Sequence, residues 1–228
     1  MFAGGGVKSR LDALASVVLV LTAGAVSITY AAKTFLPSQQ TRAGVPASAT
    51  RMLNWSEAVA IGHTIIGDDR SASTMVVFED LECPACRGFN STLQRVISNH
   101  RQDLRIVFLN FPLSYHRYAL PAARATECVS TRGSVARWID VIYMKQDSLS
   151  LKSWDSFAYE AGISDTVGID SCARNPESVP NIEAGLRIGR RINLRGTPTV
   201  VVNGWIFPST PTEEQIDSAV TSQRRKRI

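Results

Sequence analysis

The chain has 228 residues and a net charge of +5, and this length accommodates one medium-sized domain with an appendage. Four cysteines are too few for a disulfide scaffold, so the domain is expected to bury an ordinary hydrophobic core. The basic run RRKR at 224–227 is interpreted as a solvated helix end. Because no basic face interleaved with aromatic residues is evident, nucleic acid is excluded as a partner.

The N-terminal part of the sequence predicts a membrane anchor. Residues 13–32 carry no charge, and a helix of that length covers about 30 Å, the thickness of the bilayer's hydrocarbon core. Lys8 and Arg10 precede the run, which places residues 1–12 in the cytoplasm by the positive-inside rule. The alternative is a signal peptide cleaved near residues 23–25. Either interpretation puts the rest of the chain outside the cytoplasm.

Residues 33–53 follow the anchor and are small and polar, with two prolines, so we predict a flexible tether there. The folded domain is expected over residues 54–228. It would begin with a short helix that Asn54 caps and to which Glu57 contributes the reciprocal capping contact.

A strand, a helix and a second strand are predicted next. Residues 73–78 are apolar and β-branched, which is typical of a buried strand. The apolar residues after Cys86 recur every three or four positions as far as Asn99 and predict a helix. Residues 104–109 form another strand pattern. This order implies a parallel β-α-β unit and an α/β fold.

The second half of the sequence predicts a block of helices followed by a hairpin. The helical pattern extends from Tyr118 to Arg191, with breaks that suggest four or five helices. Asn203 and Gly204 then form the favoured pair for a two-residue turn between strands. A last helix is expected to begin after Thr212 as its cap.

Cys83 and Cys86 lie where the first long strand gives way to the helix. Pro84 suits the first helical position, so Cys83 is expected to occupy the helix cap, where free N–H groups and the helix dipole stabilise a thiolate. Cys86 falls on the buried stripe of the same helix and should be the less accessible thiol. An exposed thiolate with a neighbouring resolving thiol is suited to thiol–disulfide exchange.

The alternatives for this cysteine pair are half of a zinc site and a purely structural disulfide. Zinc normally requires a second ligand pair, but Cys128 and Cys172 are far apart and the three histidines form no ligand-spaced pair, so no metal is expected. A disulfide that closes so short a loop would add little stability.

Three segments resemble the DsbA-like branch of the thioredoxin superfamily, and more closely its Gram-positive-type members. They read VVFEDLECPACRGF, LNFPLSYHRYALPAARATECV and GTPTVVVNG, and the resemblance covers residues 55 to 223. It implies a thioredoxin fold with a helical insertion at about 118–176. It also implies that Pro198 is cis beside the cysteines and that Thr197 and Pro198 offer backbone groups to an extended substrate chain.

Together with the anchor predicted at 13–32, the resemblance implies a membrane-tethered thiol–disulfide oxidoreductase acting outside the cytoplasm. Cys83 would be the nucleophile and Cys86 the resolving thiol, and no cofactor would be needed. The implied partners are unfolded or folding proteins, a membrane redox protein that resets the pair, and the lipid bilayer. A reductase working in the opposite direction and a redox-inert scaffold remain as alternatives.

The acidic residues around Cys83 depart from the pattern of the superfamily. Many members carry a buried carboxylate at the position of Val77, and Glu79 is a candidate to replace it as a proton relay, although an exposed strand-end acid is the simpler expectation. Together with Asp80 and Glu82, Glu79 would crowd Cys83 with negative charge and oppose thiolate formation. We therefore expect a pair that is less oxidising than the strongest members of the superfamily.

Two further features are the second pair of cysteines, whose pairing is undecided, and an aromatic segment before the helical block. Cys128 and Cys172 would form a structural disulfide in an oxidising compartment, or remain two buried thiols. Tyr115 and His116 are interpreted as parts of a solvated loop.

Overall fold

The computed structural model of the chain describes residues 44–175 and 179–224, with the side chains of 223 and 224 left out. Within these residues a six-stranded sheet has the order β1-β6-β5-β3-β4-β2. The strands are β1 (Thr50–Arg51), β2 (His63–Ile66), β3 (Ser73–Glu79), β4 (Leu104–Asn110), β5 (Thr199–Val202) and β6 (Trp205–Ile206). Only β3 and β4 pair in parallel, as the β-α-β prediction required.

Eight α-helices accompany the sheet in this part of the chain. They are α1 (Trp55–Ile61), α2 (Pro84–His100), α3 (Ala119–Ser130), α4 (Val135–Met144), α5 (Trp154–Glu160), α6 (Ile169–Arg174), α7 (Pro180–Arg191) and α8 (Glu213–Arg224). A short 3₁₀ turn, Gln146–Ser148, follows α4. Five helices therefore lie between β4 and β5, in agreement with the predicted block of four or five.

The alternation of β3 divides the core of the sheet into two layers. Met75 and Val77 point to the face covered by α2 and α8. Val76 and Phe78 point to the opposite face, which α1 and α7 cover. Helices α3 to α6 form a separate cluster that includes the two cysteines of the motif. The thioredoxin-type fold with a helical insertion is thus confirmed.

The predicted tether extends too far into the folded domain. Thr50 and Arg51 pair with β6, and Met52 is buried, so the domain begins before residue 54. Strand β2, which pairs with β4, was also not predicted.

Asn54 is the N-cap residue of the first helix, as predicted, but the predicted capping contacts through the side chains are wrong. Asn54 adopts a left-handed backbone conformation (φ 56°) and makes no capping contact through its side chain. Glu57 pairs instead with Arg191. The cap of the last helix is confirmed, because Gln215 N donates to Thr212 Oγ1 (3.4 Å). The hairpin turn is confirmed as well, with φ of 49° at Asn203 and 81° at Gly204.

The predicted anchor at 13–32 lies outside the described residues. In the described portion of the chain, no helix is both long and apolar enough to cross a membrane.

Candidate active site

The carboxyl end of β3 leads through a short loop into α2, and Cys83 is the N-cap of that helix. Its backbone is extended (φ −71°, ψ 121°), and Pro84 occupies the first helical position, where its fixed φ fits and no N–H is lost. Cys83 N donates to Asp80 O (3.0 Å), and Arg87 N donates to Cys83 O (3.1 Å). The loop and the first helical turn thus fix the main chain of Cys83 on both sides.

The two cysteines are free thiols in this structure and lie in unequal environments. Cys83 is 6% exposed and Cys86 is 0% exposed, so Cys86 is the less accessible thiol, as predicted, although Cys83 is also more enclosed than expected. A hydrogen bond from the Cys86 thiol is the largest influence on the pKa of Cys83, which is lowered to about 5. Thr197 and the N–H groups of Cys86 and Ala85 act in the same direction and outweigh the opposing effect of burial.

The pKa of Cys86 is raised far above the ordinary value of a thiol. Burial is the main cause, and the hydrogen bond with Cys83 and the charge of Glu79 add to it. The pair therefore holds one proton on Cys86 and a thiolate on Cys83 at neutral pH. A thiolate is nucleophilic and a protonated thiol is not.

Thr197 and Pro198 face Cys83 across the site. The Thr197–Pro198 peptide bond is cis, as the resemblance implied. Cys83 Sγ lies 3.4 Å from Thr197 O, which accepts from Cys83 only when that thiol is protonated. Thr197 Oγ1 is buried and has no hydrogen-bond partner within the described residues.

Cavities open on both sides of the Cys83 loop. One of about 540 Å³ lies on the Pro198 side, and its lining includes Arg195, Gly196 and Phe207. The other, of about 250 Å³, lies on the insertion side and is lined by residues that include Pro84 and Gln146. The smaller cavity borders Glu82 and Pro84, the two neighbours of Cys83 in the chain.

Glu79 is buried, which corrects the expectation of an exposed strand-end acid. It is 1% exposed, and Tyr143 from α4 covers it and donates its hydroxyl to Glu79 Oε2 (3.1 Å). Burial is the largest influence on its pKa, which is raised to about 8; the Tyr143 hydrogen bond lowers it and the charge of Cys83 raises it further. Glu79 is therefore mostly neutral at pH 7.

The expectation that nearby acids would oppose thiolate formation at Cys83 is wrong, since the pKa of Cys83 is lowered. Asp80 is buried and accepts from Leu113 N (2.9 Å), while its second oxygen accepts from Glu82 N (2.8 Å). Glu82 accepts from Tyr118 N. These contacts anchor the cysteine loop to the segment after β4, and the pKa of Cys83 is low despite the nearby acids.

His116 also departs from its expected place in a solvated loop. Its Nδ1 lies 2.8 Å from Asp80 Oδ2, and its ring is mostly enclosed, whereas Tyr115 beside it is exposed.

Gln146 is part of the site and was not found from the sequence. It is 8% exposed, and its Nε2 donates to Leu81 O (2.9 Å) and to Cys83 O (3.1 Å). It lies 63 positions beyond Cys83 in the chain, in a 3₁₀ turn with no recognisable motif. No local sequence signal identifies it.

Cys128 and Cys172 form a disulfide between α3 and α6, with their Cα atoms 6.4 Å apart. The bond lies within the insertion and leaves the Cys83–Cys86 pair as the free thiols. Across the described residues, no group of three or more His, Cys, Asp or Glu side chains could hold a metal ion.

Comparison with protein families gives a match between residues 60–222 and a thioredoxin family model. Among curated proteins, the chain is 29% identical over 134 residues to the Na(+)/H(+) antiporter NhaA 1 of Mycolicibacterium gilvum (strain PYR-GCK). That alignment covers 58% of this chain and 22% of the antiporter. The chain thus spans less than a quarter of the length of the curated relatives it matches.

Three solved structures illustrate the similarity of the fold. A thioredoxin-like oxidoreductase from Silicibacter pomeroyi DSS-3 has a TM-score of 0.64 and 21% identity, with 76% of this chain and 98% of the other covered. A periplasmic thioredoxin-like protein from Salmonella enterica serovar Typhimurium has a TM-score of 0.58 and 16% identity, with 76% and 98% covered. DsbA2 from Pseudomonas aeruginosa has a TM-score of 0.55 and 25% identity, with 69% and 93% covered.

Proposed function

The chain belongs to the thioredoxin family, and we propose that it is a DsbA-like thiol–disulfide oxidoreductase in which Cys83 and Cys86 exchange disulfides with proteins outside the cytoplasm. The observation that carries this proposal is the inequality of the two thiols: the pKa of Cys83 is lowered to about 5 and that of Cys86 is strongly raised. The function of a redox-inert scaffold does not require two thiols of such unequal pKa.

In the oxidising direction the Cys83–Cys86 disulfide is the oxidant. A substrate thiolate attacks Cys83 Sγ, the bond between Cys83 and Cys86 breaks, and a mixed disulfide forms between the substrate and Cys83. A second substrate thiolate then attacks the substrate sulfur and releases Cys83 as a thiolate. The substrate loses two electrons, and the cysteine pair gains them. No organic cofactor or metal is needed, because the two sulfurs carry the electrons.

Glu79 is proposed as the proton relay for Cys86. The sulfur of Cys86 leaves as a thiolate in a buried position where its charge is strongly disfavoured. Glu79 is buried nearby and, with a pKa of about 8, holds a proton that it can give to this sulfur. In the reverse direction the carboxylate of Glu79 takes the proton back from Cys86.

Thr197 and Pro198 are proposed as the substrate-side loop. Thr197 O lies against Cys83 Sγ, and the cavity beyond Pro198 offers room for an extended chain. Backbone contacts made there would accept many sequences, as suits an enzyme that acts on unfolded or folding proteins.

The oxidising direction is favoured over reduction by the low pKa of Cys83. A stabilised thiolate stabilises the reduced pair, and this makes the disulfide form a better oxidant. A membrane redox protein would reset the pair after each cycle.

The site is proposed to lie outside the cytoplasm, held to the membrane by the uncharged run at 13–32. The disulfide between Cys128 and Cys172 supports an oxidising compartment. Ion transport is not proposed, since the chain matches only a small part of the antiporter.

The proposal is tested by disulfide exchange with a reduced, unfolded protein as substrate. The wild-type chain in its oxidised form should form substrate disulfides, and Cys83→Ser should abolish this activity. Cys86→Ser has no disulfide to donate, so it is given a disulfide-bonded protein instead: its Cys83 thiolate should break the substrate disulfide and stop at a mixed disulfide, because no Cys86 thiol is there to resolve it. Cys128→Ser/Cys172→Ser, which leaves the proposed pair intact, should retain the activity if it folds. Undiminished exchange by Cys83→Ser would refute the proposed role of Cys83.

A further inference from the structure

The helical insertion reaches the cysteine loop and the first turn of α2 through three neighbouring side chains. Tyr143 donates to Glu79, Gln146 donates to two carbonyls of the loop, and Asp147 accepts from Arg87 on α2 (3.0 Å). The Arg87–Asp147 pair is largely exposed and contributes little to stability. Gln146 is different, because it is enclosed and contacts the main chain of Cys83 itself.

The side chain of Gln146 supplies donors to the carbonyls that frame the cysteine loop. Its Nε2 bridges Leu81 O (2.9 Å) and Cys83 O (3.1 Å). Asp80 performs the complementary task, since its carbonyl accepts from Cys83 N (3.0 Å) and its carboxylate from Glu82 N (2.8 Å). The N–H groups of the loop are thus held by Asp80 and its carbonyls by Gln146.

The orientation of the Cys83 carbonyl is tied to the ψ angle of Cys83, which sets where the first helical N–H groups lie relative to the Cys83 side chain. Cys83 has the extended backbone of an N-cap (ψ 121°), and its Sγ lies where the N–H groups of Ala85 and Cys86 stabilise a thiolate. Rotation about ψ would move the helix N–H groups relative to Sγ. A donor that fixes the Cys83 carbonyl therefore fixes the relation between the thiolate and the helix terminus.

We infer that Gln146 is a positioning residue for Cys83, which it acts on through the main-chain carbonyls of Leu81 and Cys83. This inference rests on the proposed function, because it assigns Gln146 to the same thiol-exchange reaction. The consequence is that the reactivity of Cys83 depends on the insertion as well as on the motif and the helix that carry it.

The test is the pKa of Cys83 in Gln146→Met, read from the ultraviolet absorbance of the thiolate across a pH series in the reduced chain. Methionine keeps the unbranched shape but removes both N–H donors. The Cys83 pKa is expected to rise by about one unit, a roughly tenfold loss of thiolate at acidic pH. Gln94→Met is the matched control: Gln94 donates to Asp140 (2.7 Å) at an exposed position and should leave the Cys83 pKa unchanged.

Thermal unfolding of the same samples separates positioning from packing. A lower Tm together with an unchanged Cys83 pKa in Gln146→Met would overturn the inference, because Gln146 would then act as packing alone. If this variant does not fold, Gln146→Asn carries the test, since its shorter carboxamide cannot span the two carbonyls. An unchanged Cys83 pKa there would overturn the inference as well. The proposed function is tested independently by wild-type exchange activity, whose absence would leave the pKa comparison readable.

Discussion

Cys83 and Cys86 lie on one turn of α2, yet the chain gives their thiols opposite tendencies to ionise. Cys83 receives hydrogen bonds at the helix terminus and its pKa is about 5. Cys86 is fully buried one turn later, and its thiol is held in the neutral form. The difference arises mainly from the hydrogen bond that Cys86 gives to Cys83 and from the burial of Cys86, and the free N–H groups at the helix terminus add to it.

Substitution of Glu79 should change how the stability of the reduced chain depends on pH. Burial raises the pKa of Glu79 from 4.5 to about 8, so the folded state keeps a proton that the unfolded state releases between these values. The ionisation of Glu79 therefore takes stability from the wild type as the pH rises from about 4.5 to about 8, against the gain that the lowered pKa of Cys83 contributes from about 5 to about 9. Glu79→Gln cannot ionise and should remove this loss, which is on the order of a few kcal/mol.

Urea unfolding at a series of pH values measures the effect of Glu79→Gln on the free energy of unfolding. Glu183→Gln, at an exposed position on α7, serves as the control and should follow the wild-type curve. Parallel curves for Glu79→Gln and the wild type from pH 5 to pH 8 would show that Glu79 does not carry a raised pKa.

The reduction potential of the Cys83–Cys86 pair should lie between those of thioredoxin and DsbA. Thiol pKa values of about 7 and about 3.5 accompany potentials of about −270 and about −120 mV in those two proteins. The pKa of Cys83, at about 5, is intermediate. Equilibration with glutathione buffers followed by alkylation gives the potential, and a value near −120 mV would contradict this prediction.

Residues of the site differ in how far the sequence could identify them. The CPAC motif and the Thr-Pro pair predict the cysteines and their facing loop, because both depend on local backbone chemistry. Glu79 was misplaced on the surface, because Tyr143, which covers it, lies 64 positions away. Gln146 was missed for the same reason, since only the tertiary fold brings it to the loop.

At the level of elements, α7 closely approaches the residue that follows β4, and a glycine allows this contact. A Cβ atom at Gly189 would lie 2.1 Å from Phe111 Cε2, so Gly189→Ala should destabilise the chain by about 1–3 kcal/mol. Gly88 on α2 is the matched case, because its Cβ would meet nothing within 4 Å. Gly88→Ala should stabilise the chain by about 0.5–1 kcal/mol. Equal urea midpoints for the two variants would contradict this account of the packing.

Strands were predictable from the sequence where a long apolar run forms a buried strand. Strands β3 and β4 are central and seven residues each, and both were found. Strands β1 and β2 were missed because they have two and four residues and lie at the edges of the sheet. Such short edge strands are held by their neighbours rather than by a pattern of their own.

At the scale of the whole domain, three distant segments complete the site around one helix terminus. The loop after β3 provides the cysteines, the insertion provides Tyr143 and Gln146, and the chain before β5 provides Thr197. The insertion is closed by the Cys128–Cys172 disulfide, which joins α3 to α6. The reactivity of the thiols therefore depends on the correct folding of the whole domain.

The most direct test of the central claim is to trap the covalent intermediate in cells with the full-length Cys86→Ser variant. Without the resolving thiol, mixed disulfides between Cys83 and extracytoplasmic proteins should accumulate, and peptide mapping should locate them at Cys83. Cys83→Ser/Cys86→Ser should form none. Absence of such adducts in Cys86→Ser, or adducts located at Cys172 instead, would contradict the assignment of Cys83 as the nucleophile.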